Sequence, residues 1–520
     1  MQLNPRFWPG RCTCLLILII GLRPAFGEGS STAASRLTSG VLGEKTAWAT
    51  QWYVVEGQEP GPVVLITGGV HGNEPAGSYA AGQIRHWPIK AGKLVVVPRV
   101  NTLGLNAETR WFLPLKEDEE LRDLNRNFPT AEREFPQSPV AESLWEFVEQ
   151  QKPDFVIDLH EGFDFHVSNP KSVGSSVIFS KTDKRYSLAE KMLAAVNATV
   201  DDEERRFEML SRSGAAKGSL VRACTDRLKI DSFILETTYK DQPLSLRVRQ
   251  HRLMVSTLLL ELGLIDRDCV DVVTAQDPSS GIDVALYDSA GASSKGINNL
   301  SRLLGQSDGI SVVRVGPSDM TAEVLKPFEV VLFPGGSGSK QGRAIGEEGR
   351  EVVRSFVKRG NGVVGICAGA FLCSSHYDWS LRVINTAVFN KTVEIPGVGR
   401  KSMWYRGVTQ EVQMELEGAA ATILGKSGDV KVRYHNGPII SVGKATDLPS
   451  YTPLAWFRSE VSKYEPQKGT MINTPAIVVA DFGKGRVLSV SPHPEATPGL
   501  ESMIVNGVRW AAGRTPRSRD

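Results

Sequence analysis

Residues 64–81 read VLITGGVHGNEPAGSYAA: an aliphatic run breaks on two glycines, then presents His71 and Glu74 three positions apart, ahead of a proline. Two further runs of the same kind end on groups that bind metals or move protons. FVIDL delivers His160 and then Glu161, and SFIL delivers Glu236. Two imidazoles and one carboxylate, with a position left for water, are the usual protein ligands of a catalytic zinc. A further carboxylate beside them serves as general base toward that water. Taken singly, each residue is ordinary: an HxxE pair arises by chance, and a histidine after a strand is more often hydrogen-bonded core than ligand. Their joint position at three strand ends gives the pattern its weight. On chemistry alone, either Glu74 or Glu161 completes the ligand set.

A second constellation lies in GVVGICAGAF, residues 362–371. Gly365 and Gly369 bracket Cys367 at the G-x-C-x-G spacing of a nucleophile elbow, where small neighbours let the side chain project. A cysteine at a helix N-terminus favours its thiolate. SPHPE brings His493 and Glu495 together much later, so that nucleophile, base and orienting carboxylate are all present. FPGGSGS, with Gly335 and Gly336, offers backbone N–H donors for an oxyanion. Cys373 reads as core, and His376 and Asp378 as surface residues.

These residues need elements to hold them. From about residue 45 to 265, short aliphatic strands (KLVVVPRV, DFVIDLH, SFILETT) alternate with helical stretches (SPVAESLWEFVEQQ, SLAEKMLAAVNA). Such alternation predicts an α/β layered fold. A polar, turn-rich passage around 266–281 marks a domain boundary, placed at 275/276. A second α/β series then runs through IDVALYD, NNLSRLLG, ISVVRV, FEVVLFPGG, EEGREVVRSFVKRG and GVVGICAGAFL. Antiparallel strands follow, closing on a hairpin at Gly483-Lys484-Gly485. The expected architecture is two tandem α/β domains, 28–275 and 276–520. In open α/β sheets chemistry gathers at the carboxyl ends of the strands, which is where both constellations fall.

The N-terminus has basic Arg6 and Arg11, a short apolar run from Cys14 to Leu22, and Pro-Ala-Phe-Gly. That is the order of a secretory signal, 1–27, and it predicts a secreted or periplasmic protein with no integral membrane segment after cleavage. A retained membrane anchor is the alternative. Sixty Lys+Arg against fifty-eight Asp+Glu leave a net charge of +2, which offers no general attraction to nucleic acid. Cys224, Cys269, Cys367 and Cys373 are too scattered for a disulfide scaffold.

HGNEPAG, PRVNTLGLNAETR, DLNRNFP, DLHEG and ILETT, in that order, resemble the zinc carboxypeptidase superfamily, and especially its succinylglutamate desuccinylase/aspartoacylase branch. The resemblance implies one zinc per chain held by His71, Glu74 and His160. It also implies Glu236 as base, Arg110 polarising the scissile carbonyl, and Asn125 with Arg126 gripping a free carboxylate of the substrate. ALYDSAG, LFPGGSG, GICAGAFL and SPHPE resemble the class I glutamine amidotransferase-like superfamily, and most of all the domain related to the N-terminal part of some biotin–protein ligases. That likeness implies a flavodoxin-like second domain with Cys367, His493 and Glu495 as its catalytic set, and Gly335 and Gly336 at the substrate. The reading is an exported zinc hydrolase cleaving an amide next to a carboxylate, in a peptide or N-acyl amino acid, with esters as a variant. A ligand-binding protein with a non-turnover zinc site, and a thiol amidase centred on Cys367, are the alternatives.

Overall fold

In the computed structural model, residues 36–112, 119–212, 214–274, 281–404, 406, 407 and 409–513 are described. The signal segment 1–27 and the junction at 275/276 lie outside them. The first half builds an eight-stranded sheet from β1 (Arg36–Leu42), β2 (Thr50–Glu56), β3 (Glu59–Gly68), β4 (Ala91–Val97), β5 (Phe155–Gly162), β6 (Ser176–Ile178), β7 (Glu208–Leu210) and β8 (Asp231–Thr238). Their order across the sheet is β1-β2-β4-β3-β5-β8-β6-β7. The central strands β4, β3, β5 and β8 are parallel, while β1, β2 and β6 join antiparallel. The sheet is therefore mixed, parallel at its centre. The antiparallel edge formed by β1 and β2 was not among the strands read from the sequence.

Every residue of β5 is buried, which is what an unbroken apolar run at the centre of a covered parallel sheet requires. Side chains alternate between two cores. Val64, Ile66, Ile157 and Leu159 pack under helices Pro75–Ile84, Asp183–Asn197 and Leu244–Glu261. Leu65, Val95, Val97 and Val156 face helix Pro139–Gln151 on the other side. Each such fully buried aliphatic chain stabilises the fold by roughly 1.5–3 kcal/mol.

The second half opens with β9 (Ile282–Tyr287), β10 (Ile310–Val315), β11 (Val330–Phe333) and β12 (Gly362–Ile366). The nine-stranded order is β10-β9-β11-β12, followed by Gly485–Val490, Pro475–Phe482, Thr452–Phe457, Gln410–Leu416 and Gly428–Tyr434. The first five are parallel and the rest antiparallel, the change of style expected from the sequence. The helix read from Glu347 begins earlier, at Gly338, and bends at Gly346, whose φ is 72°. That glycine interrupts the helical periodicity and hides the first turns.

Helix Leu244–Glu261 joins the two sheets. Arg252 donates to Asp319 Oδ1 at 2.7 Å and Arg249 to the same oxygen at 3.0 Å. Both Arg252 and Asp319 are buried, so losing one partner leaves an uncompensated charge in the interior.

Candidate active sites

Strand β3 stops where backbone must come close to backbone. A Cβ on Gly68 would lie 2.5 Å from Gly77 O, and one on Gly72 would lie 1.9 Å from Gly104 C. The short turn from His71 to Glu74, with Glu74 N donating to His71 O at 3.3 Å, therefore seats against the VNTLGLN segment. Glu74 is the residue before helix Pro75–Ile84, and Pro75 pre-sets its first turn.

His71, Glu74 and His160 are all buried, and one ligand atom from each lies within 4.8 Å of the others. The two Nδ1 atoms are 3.2 Å apart, and each contacts a different Glu74 oxygen at 2.8 Å. Their Nε2 atoms point outward to carboxylates: His71 to Asp123 Oδ1 at 3.0 Å, His160 to Asp158 Oδ2 at 2.8 Å. Carboxylates behind metal-ligating imidazoles fix the tautomer and ring orientation. Neither Asp was picked out from the sequence. Asp158 was readable, since residues two apart on a strand share a face; no local signal links Asp123 to His71.

Glu161, the other carboxylate left open by chemistry, faces away. Its Oε1 is paired with Arg247 and its Oε2 accepts from Ala76 N at 2.7 Å, while its own N–H donates to Glu74 Oε2 at 3.1 Å. It holds the ligand-bearing turn in place.

Strand β8 puts Glu236 directly beside His160 in the parallel register. Glu236 is buried, and its Oε2 has no hydrogen-bond partner among the described residues. Burial pushes its carboxyl up to about 8, with Glu74 and Asp158 adding to the effect against His160 and Arg110. Burial works against charge on Glu74 and His160 too, yet it is outweighed: His71, with His160, holds Glu74 well below the carboxylate range, and Asp158, with Glu74, holds His160 well above the imidazole range. Four carboxylates thus surround two imidazoles, and the two Nδ1 atoms and Glu74 converge on one point. That donor set fits a divalent cation of the zinc type.

Arg110 spans the site, donating to Glu74 Oε1 at 3.1 Å and Asp123 Oδ2 at 3.0 Å. Asn125 and Arg126 line the same cavity of about 840 Å³. The Asn125 amide is held on one side: its Oδ1 accepts from Leu220 N at 3.1 Å, while its Nδ2 lies 3.3 Å from a His160 Nε2 that itself donates to Asp158. Arg126 donates to the Asn125 carbonyl at 2.8 Å. Tyr239, passed over in the sequence, also lines this cavity.

The second site forms where β12 turns into helix Ala368–Cys373. Cys367 sits at that turn with φ 51° and ψ −98°, a left-handed conformation that costs a non-glycine residue about 1–3 kcal/mol. The flanking glycines are required: a Cβ on Gly365 would lie 2.3 Å from Gly369 O, and one on Gly369 would lie 2.2 Å from Phe333 O. His493 Nδ1 meets Glu495 Oε1 at 2.7 Å. Burial opposes a proton on His493, but the Cys367 sulfur and Glu495 raise it to about 10. A Cβ on Gly335 would stand 3.1 Å from His493 Cε1 and 3.7 Å from Cys367 Cβ, so a glycine there leaves room beside both groups. Gly335, Gly336, Cys367, His493 and Glu495 line one cavity of about 1500 Å³. Cys373 is buried and His376 and Asp378 are exposed, as read.

Residues 60–175 match the family model described as succinylglutamate desuccinylase/aspartoacylase catalytic domain, and residues 282–509 match the one described as biotin-protein ligase, N terminal. No curated protein matches the chain. Among solved structures, tripeptide-bound cell shape determinant Csd4 from Helicobacter pylori is 19% identical, with 45% of this chain and 56% of that chain covered and a TM-score of 0.35. Its mDAP-bound form, described as a D,L-carboxypeptidase, is 21% identical over 39% of this chain and 52% of that chain, with a TM-score of 0.34. A succinylglutamate desuccinylase/aspartoacylase from Rhodobacter sphaeroides is 18% identical over 45% and 68%, with a TM-score of 0.33. The chain spans about half the length of the Csd4 structures it matches. Its two halves thus resemble, in order, the succinylglutamate desuccinylase/aspartoacylase catalytic domain and the N-terminal domain of biotin-protein ligase.

Proposed function

We propose that the first half is a zinc-dependent hydrolase that cleaves an amide bond next to a free carboxylate, in a peptide or an N-acyl amino acid, and that the protein is exported. The observation that carries this reading is the convergence of His71 Nδ1, His160 Nδ1 and Glu74, with the unpartnered Glu236 carboxylate in register beside them. A zinc held by His71, Glu74 and His160 would supply Lewis acidity toward water and the substrate carbonyl. Glu236, with one oxygen uncommitted, takes a proton from water and returns it to the leaving amine. Arg110, already aimed into the site, offers N–H donors to charge developing on the carbonyl oxygen. Arg126 presents a two-pronged donor for the substrate carboxylate. Asn125, its Oδ1 held by the Leu220 N–H, offers its Nδ2 as an uncharged donor to the same carboxylate. A binding protein has no use for a buried carboxylate left without a partner, which weighs against the sensor reading. For export the support is the N-terminal segment; among the described residues no helix is long and apolar enough to cross a membrane.

The test is elemental analysis of residues 28–520 beside His71→Ala and Cys367→Ala, followed by turnover of N-acyl amino acids and peptides. About one zinc per chain, lost in His71→Ala and kept in Cys367→Ala, is expected. No bound zinc after reconstitution defeats the reading.

A second reading has its own observation. Cys367 in a left-handed turn between obligatory glycines, beside His493–Glu495, is the arrangement of a nucleophilic thiol. We place a second, thiol-based centre there.

A further inference from the structure

The cavity around Cys367 is not closed by its own half. Tyr79 and Glu108, both from the first half, stand in its lining. Tyr79 lies on helix Pro75–Ile84, which begins directly after the ligand Glu74. The far end of that helix is pinned as well, because Arg252 donates to Gln83 Oε1 while it holds Asp319 of the second half. Glu108 sits at φ 51°, two residues before Arg110. The face that Tyr79 and Glu108 present to Cys367 is therefore set by the buried contacts that also build the metal site.

The rest of the lining describes the ligand. At about 1500 Å³, the cavity exceeds the roughly 300–1,000 Å³ of a small-molecule pocket, so a single amino acid leaves most of it empty. Tyr377 stacks on Trp379 with centroids 4.4 Å apart, and both line the cavity with Trp404, so aromatic surface is part of its wall. Lys295 and Arg433 are exposed to the cavity from the second half, and Glu108 from the first. Arg302, Arg314 and Glu501 of the second half line it too, so the cavity offers groups of both signs to a zwitterion.

We propose that Cys367 acts on an amide of a peptide-sized, zwitterionic substrate held between the two halves, with Tyr79 and Glu108 as positioning residues supplied by the first half. The proposal rests on the second reading above, Cys367 as nucleophile. Its Sγ gives its proton to His493 and attacks the amide carbonyl. The C–N bond breaks, the proton passes from His493 to the leaving nitrogen, and a thioester remains on Cys367. Water then hydrolyses the thioester, releasing the acid and restoring the thiol. Glu108 receives the amino group of the substrate; Lys295 and Arg433 receive its carboxylate.

The test compares two alkylating probes on the zinc-loaded chain: iodoacetamide, which needs only the thiol, and the chloromethyl ketone of Ala-Ala-Phe with a free amino terminus, which needs the chamber. Peptide mass spectrometry identifies the labelled cysteine. The expected result is labelling at Cys367, with the ratio of ketone to iodoacetamide rate constants falling at least tenfold in Tyr79→Ala and in Glu108→Gln. Acetylating the probe's amino terminus should lower the wild-type ratio and abolish the difference between wild type and Glu108→Gln. Glu108 is an exposed side chain, so that variant carries the test even if Tyr79→Ala fails to fold. Unchanged ratios in Glu108→Gln overturn the composite site. Absence of label on Cys367 with both reagents overturns the nucleophile reading, and the zinc content of the same samples reports separately on the metal reading.

Discussion

His160 and Glu236 are direct partners in the parallel register of β5 and β8. The proposed base is thereby placed beside a proposed metal ligand by main-chain hydrogen bonding, not by a flexible loop, and it pays for that rigidity with burial.

The first consequence is a pH dependence. Burial raises the Glu236 carboxyl from 4.5 to about 8, so the folded metal-free protein binds a proton that the unfolded chain releases. Stability of the metal-free protein therefore falls as pH rises from about 4.5 through about 8, and the penalty is complete above that. Glu236→Gln should raise Tm of the metal-free protein at pH 9 and leave it nearly unchanged at pH 4. The same variant should bind zinc and lose about 10²–10⁴-fold in kcat. Equal effects on Tm at both pH values would contradict the buried-acid account.

The Arg247–Glu161 pair stands behind Glu74, the proposed carboxylate ligand. Removing Arg247 takes away the charge that opposes the burial-driven rise of Glu161 and leaves its carboxyl buried without its partner, at about 3–5 kcal/mol for a broken interior pair. Arg247→Met should lower Tm and weaken zinc binding in a chelator competition, because the Glu161 N–H that steadies Glu74 moves with its side chain. Arg247→Lys should restore part of both. Zinc affinity unchanged in a folded Arg247→Met would show that the pair is only structural.

What was legible in the sequence follows from the range of the signals. Aliphatic runs and their ends are local, so β3, β5, β8, β9 and β12 and the groups they deliver could be read directly. Glycines at 365 and 369 were legible because close packing leaves no other residue type, and the structure shows the carbonyls that a Cβ would strike. The outer strands β1 and β2 were missed: all seven residues of β1 are exposed or half-exposed, without an apolar alternation. Asp123 reaches His71 across 52 residues, and Tyr79 reaches the Cys367 cavity from the other half of the chain. Neither relationship leaves any trace in periodicity.

The backbone at Cys367 makes a prediction of sign. At φ 51° and ψ −98°, glycine carries no Cβ penalty whereas alanine keeps it. Cys367→Gly should therefore unfold at a higher Tm than Cys367→Ala, by about 1 kcal/mol, although it buries one methyl less. Alanine proving the more stable of the two would mean that the turn relaxes without strain.

His493 gives a second pH test of opposite sign. Burial alone would lower its pKa, but Cys367 and Glu495 raise it from 6.5 to about 10. A raised histidine contributes stability that is fully present below about 6.5 and is lost as pH climbs through about 10. Glu495→Gln removes one of the two partners that hold the proton, so the His493 imidazole, followed by ¹H–¹⁵N NMR, should titrate lower than in the wild type. The variant's loss of Tm should be larger at pH 6 than at pH 10.5, where the wild-type histidine has already given up its proton. Thiol reactivity supplies a matching readout: alkylation of Cys367 by iodoacetamide at pH 7 should slow in Glu495→Gln, because an imidazole without its orienting carboxylate takes the thiol proton less well. A His493 signal that titrates at the same pH in both proteins would remove Glu495 from the set and leave Cys367 and His493 to act alone.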